Sequence, residues 1–149
     1  MRAIPAASAM ILLGAFPLPI RPSAPPPNGQ FPTLEAAAES ARSAWSVRDL
    51  DAFLRGAGSR LLIELPSADP STPVGRDQAV ALLQGYVQGT KEVETTVRKA
   101  KPVGDTRGYV ELTRHYRVVG IDGVNEGVLL LGYRRGRDGW LLTEIRAGS

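Results

Sequence analysis

Two charged residues on strands that the pattern makes near neighbours carry most of the chemistry this sequence offers. They are Arg114, in Leu112-Thr113-Arg114-His115-Tyr116, and Glu144, in Trp140-Leu141-Leu142-Thr143-Glu144. A guanidinium presents a planar fork of donors to an anionic or carbonyl group, and a carboxylate beside it orients that group or accepts a proton from it. With Tyr116, Tyr133 and Trp140 as walls, the five residues compose a half-polar binding pocket. The pair also has a plainer reading, which is the favoured one. A charge turned towards an apolar face is costly unless a counter-charge meets it, so Arg114 and Glu144 are expected to form a buried ion pair even with no ligand between them.

Other chemistry is bounded by residue content. The sequence has no cysteine, which excludes a thiol nucleophile, a disulfide framework and a thiolate metal site. Its one histidine, His115, falls on the outer face of its strand by alternation and has no serine or aspartate at triad spacing. No Gly-Lys-Ser or Gly-Lys-Thr follows a strand, so nucleotide binding finds no support, and neither a cofactor nor a metal is called for. Glu64, among Leu61, Leu62, Ile63 and Leu65, reads as an edge-strand charge that discourages aggregation rather than as a pocket acid.

The elements that must position these residues follow from periodicity. Leu34, Ala38, Ala41 and Trp45 recur on one helical face behind a Thr33 cap, with Glu35, Glu39 and Arg42 on the other. Ser46 and Asp49 mark a second cap, opening a short helix with Leu50, Phe53 and Leu54 on one side and Gly56 at its end. Leu61 to Leu65 has the length of a strand, and a third helix runs from Gly75 to Gly89 with Ala79, Leu82, Leu83 and Tyr86 on one face. Four strands then alternate with period two: Glu92 to Val103, Tyr109 to Val119, Glu126 to Arg135 and Trp140 to Arg146. Short links make them antiparallel neighbours, so the class is α+β with helices over one face of the sheet.

Parity within that sheet sets the pocket. A two-residue turn at Asp122-Gly123 pairs Tyr116 with Leu129, Arg114 with Leu131 and Leu112 with Tyr133 on the helix-facing side. The last hairpin pairs Arg135 with Trp140 and Tyr133 with Leu142, which brings Glu144 beside Leu131 on the same inner face. A one-residue slip or bulge in the last loop would send Glu144 outside. On the outer side, Glu111 is set against Arg134.

In this order of elements the chain resembles the NTF2-like superfamily. The resemblance is carried by Trp45 with Arg48-Asp49-Leu50-Asp51-Ala52-Phe53, by Gly75-Arg76-Asp77-Gln78-Ala79 opening a helix, and by Asp138-Gly139-Trp140-Leu141-Leu142 opening the last strand. It covers Thr33 to Arg146 and implies a curved antiparallel sheet wrapped on an N-terminal helical layer. Superfamily members range from ketosteroid isomerases and polyketide cyclases to binding domains without chemistry, so the fold transfers and the function does not. The reading that results is a non-catalytic domain binding a small molecule or a protein, including a second copy through the outer sheet face. The alternative is a small isomerase- or cyclase-type enzyme. That chemistry commonly uses inward Asp or His, where this chain offers Arg114, Glu144 and tyrosines.

The 149 residues suffice for one domain with a core, and 43% hydrophobic with 22% charged residues is the composition of a globular one. Lysine and arginine number 18 against 15 acidic residues, but Arg2 and Arg21 lie in the N-terminal segment and the remainder form no one-sided stripe, so nucleic acid is excluded as a partner. Residues 1–24 read as a secretory signal: Met1 and Arg2, then an uncharged apolar run to Ile20. An uncleaved N-terminal anchor is the rival, and without a cysteine no lipid anchor or other stable membrane attachment is expected after cleavage. Residues 25–32 are a proline-rich linker, and 33–149 form the domain.

Overall fold

The computed structural model describes residues 30–66 and 73–148. The signal assigned to 1–24, and the linker up to residue 29, lie outside the described residues. Eight elements follow one another: α1 (Leu34–Ser46), α2 (Leu50–Phe53), β1 (Ala57–Glu64), α3 (Arg76–Val87), β2 (Thr90–Val103), β3 (Arg107–Val118), β4 (Asn125–Gly136) and β5 (Gly139–Gly148). The α+β expectation holds. The sheet is mixed rather than purely antiparallel, because the order is β1-β5-β4-β3-β2 and β1 lies parallel to β5. Among the described residues no helix is long and apolar enough to cross a membrane.

α1 forms where its spacing requires. The Thr33 hydroxyl accepts from the Ala36 N–H at 3.0 Å, and Leu34, Ala38, Ala41 and Trp45 are all buried. The alanines keep the helix close to the sheet, whose inner face supplies Val110, Leu112, Leu129, Leu131, Leu142 and Ile145. Asp49 caps α2 by accepting from the Ala52 N–H at 3.0 Å. The chain is already packed at Phe31, inside the stretch read as linker. Phe31 is buried and exchanges two backbone hydrogen bonds with Trp140, at 3.0 and 2.7 Å, before α1 begins.

Both registers of β4, with β3 and with β5, depart from the simplest count. β3 and β4 are joined by residues 119–124 rather than by a two-residue turn, so Arg114 pairs with Gly127, Tyr116 with Asn125 and Leu112 with Leu129. The slip is by an even number of residues, so every side chain keeps its expected face. The second departure changes a face. A bulge in β5 between Leu142 and Glu144 sets Tyr133 opposite Leu142 but Gly132 opposite Glu144.

Candidate functional site

The five residues expected to share a pocket do not meet. Arg114 and Tyr116 lie near the end of β3, level with Gly127 and Asn125 at the start of β4. Tyr133 and Trp140 are also on the inner side, but at the other end of the sheet, level with Gly108 and Arg135. There they are core. Tyr133 is 3% exposed, and burial pushes its phenol well above the ordinary tyrosine value; Trp140 is packed under Phe31. Glu144 is on the outer face. The β5 bulge inverts its parity, and its side chain lies over Gly132, which has no β-carbon to exclude it.

Arg114 therefore finds a different carboxylate. Its side chain is 1% exposed and forms an ion pair with Glu92 on β2, whose side chain is 3% exposed. Glu92 also accepts a 3.4 Å contact from the Thr95 hydroxyl. The guanidinium carbon is 4.1 Å from the centroid of the Tyr116 ring, 5.3 Å from Tyr86 and 5.4 Å from Trp45, so three aromatic rings complete the enclosure. Above the pair, Thr90 Oγ1 accepts from Arg48 Nη2 at 2.8 Å and from Arg114 Nη2 at 3.4 Å, while Arg48 also donates to the Thr90 carbonyl.

Glu92 and Arg48 escaped the sequence reading for physical reasons. β2 carries bulges between Glu92 and Glu94 and between Val97 and Lys99, so the inward set Glu92, Thr95, Val97 is not a period-two series. The loop count that places Arg114 correctly on β3 has no such purchase on β2. Arg48 sits just past α1 and looks like part of the next cap; its role depends on its backbone conformation, which composition does not reveal.

The outer face carries a hollow of its own, smaller than the one of about 670 Å³ between Arg48 and α3. A depression of about 380 Å³ crosses four strands, with Lys99 and Lys101 from β2, Tyr109 from β3, Leu130 from β4, and Glu144 and Arg146 from β5. A smaller one of about 180 Å³ adjoins it at Tyr109 and Glu144 and reaches Leu62 on β1. Arg146 bridges Glu144 at 2.5 Å and Glu64 at 3.5 Å, so Glu64 is the edge charge expected of it. Glu111 pairs across strands with Leu130, not Arg134, and its carboxylate meets Arg98 at 3.7 Å. His115 is outer, as expected, 3.6 Å from Glu126.

No family model matches the sequence, and no curated protein matches it either. Solved structures do match. A putative calcium/calmodulin-dependent protein kinase type II association domain from Thiobacillus denitrificans is 19% identical, with TM-score 0.62 over 79% of this chain and 95% of that one. A ketosteroid isomerase-like protein from Erwinia carotovora atroseptica is 13% identical, with TM-score 0.64 over 76% and 91%. An NTF-2 like protein of unknown function from Shewanella oneidensis is 17% identical, with TM-score 0.52 over 78% and 96%. At these identities the likeness is one of fold.

Proposed function

From the premise of an NTF2-like fold, we propose that this chain is a non-catalytic binding domain that pairs with a second copy through the outer face of its sheet. The observation that carries the reading is the layout of the outer depression. Its floor is apolar, with Tyr109 and Leu62 38% and 40% exposed and Leu130 between them. Its β2 flank is basic, with Arg98, Lys99 and Lys101, and its far flank holds Glu64 and Glu144 around Arg146. A two-fold axis lying in the interface and parallel to the strands lays each basic flank over the partner's acidic one, the self-complementary arrangement a symmetric dimer needs. Supporting a binding rather than a catalytic role, the inner carboxylate Glu92 is committed to Arg114 and Thr95.

Charge swapping tests this. Lys99→Glu with Lys101→Glu is expected to yield a monomer by sedimentation equilibrium, as is Glu64→Lys with Glu144→Lys, and mixing the two variants is expected to restore a dimer. A wild type that stays monomeric at all accessible concentrations would overturn the reading. We also read residues 1–24 as an export signal, so that the domain works outside the cytosol. Mass spectrometry of secreted material is then expected to show a new N-terminus near Ser23 or Ala24, and an intact Met1 would refute cleavage.

A further inference from the structure

We infer that the cluster where Arg48 lies over Thr90 is a binding site for a small organic carboxylate, held between Arg48 and Arg114. Two cations reach one neutral oxygen there: Thr90 Oγ1 takes donors from both guanidiniums and gives its own proton to the Val87 carbonyl at 2.7 Å. Arg114 has Glu92 as counter-ion, whereas no carboxylate pairs with Arg48 among the described residues. The cluster is left with one surplus positive charge, the complement of a monoanion.

Two buried donors point the same way. Arg114 Nε and Trp45 Nε1 have no acceptor, and both residues are 1% exposed. Buried N–H groups without a partner are rare, and they mark a place where an acceptor belongs. Around them Arg48, Tyr86, Thr90 and Tyr116 are half-buried.

The backbone supplies an independent sign. α1 ends in a Schellman turn, with the Asp49 N–H donating to the Ala44 carbonyl and the Arg48 N–H to that of Trp45, both at 3.0 Å. The left-handed position of that turn, which glycine usually takes, is held by Arg48 with φ of 58°. A side chain kept where glycine would be unstrained needs a use, and this one puts its guanidinium on Thr90. Guanidinium forks match the two oxygens of a carboxylate, and the Tyr86 and Tyr116 rings suit a short apolar or aromatic tail. The site uses none of the outer-face residues and does not depend on dimer formation.

The test uses the full ¹⁵N-labelled chain and its two tryptophan indole N–H signals. Benzoate, and more weakly acetate, is expected to move the Trp45 signal saturably while Trp140, at the other end of the sheet, stays in place. Benzamide has the same shape without the charge and is expected to leave Trp45 unmoved. Arg48→Gly removes the guanidinium and relieves the backbone, so its melting temperature is expected to hold or rise while benzoate affinity falls roughly tenfold or more. The proposal is overturned if benzamide acts as benzoate does, if Arg48→Gly binds like wild type, or if no anion moves Trp45 at tens of millimolar, which would mean that water fills the donors.

Discussion

Replacing Glu92 by leucine is expected to remove about 3–5 kcal/mol of folding free energy, a large part of what a domain of this size possesses. The reason is the state of the residue left behind. Arg114 is 1% exposed on a strand flanked on both sides, so without Glu92 its charge is buried with no counter-charge. The Tyr116, Tyr86 and Trp45 rings offset part of the loss, since each cation–π contact contributes about 0.5–2 kcal/mol, but they do not replace a counter-charge. Urea denaturation of Glu92→Leu, Arg114→Met and Glu92→Leu/Arg114→Met separates pair from parts. Each single variant is expected to be strongly destabilised and the double to recover most of the loss, because an apolar pair of similar volume needs no desolvated charge. Additive losses would show that the two side chains act independently, contrary to the ion pair.

How far the sequence could be read depended on where the chain keeps its period. The α1 face was legible because Leu34, Ala38, Ala41 and Trp45 repeat without interruption, and the structure buries all four. β3 was legible in parity although not in register: the 119–124 connection shifts its partners on β4, yet Leu112 and Arg114 still face inward. Glu144 was lost to a single inserted residue in β5, whereas the two in β2 leave Glu92 on its face but move its partner on β3 by two residues, to Tyr116. Bulges bend a strand at no cost in hydrophobicity, so nothing in composition announces them. The inward Arg114 implied a carboxylate from electrostatics alone. Which carboxylate was a matter of register, and register is set by tertiary contacts. Phe31 illustrates the opposite limit, since the prolines around it argue for solvated chain while one aromatic side chain has enough apolar surface to dock.

Gly139→Ala is expected to cost roughly 2–4 kcal/mol, more than the same change at any other glycine with positive φ, and to release Phe31 from the sheet. Gly139 has φ of 135°, a region that residues with a β-carbon seldom enter. A β-carbon there would also lie 2.3 Å from the Phe31 carbonyl oxygen and 2.9 Å from its carbon. Those are backbone atoms, and they cannot swing aside as a side-chain tip would. Relief requires breaking the two hydrogen bonds between Phe31 and Trp140, which lie nearest the N-terminal end of the described residues. Gly123→Ala is the control: its φ is 102°, but the space around it is open, so only the backbone strain of about 1–3 kcal/mol applies. Hydrogen exchange at the Phe31 and Trp140 amides, with limited proteolysis around Pro32, reads the difference. Fast exchange at both amides in Gly139→Ala, with slow exchange retained in Gly123→Ala, would place the loss at the Phe31 stitch. Equal behaviour of the two variants would mean that Phe31 is held by its buried ring alone, and that the glycine serves only the turn.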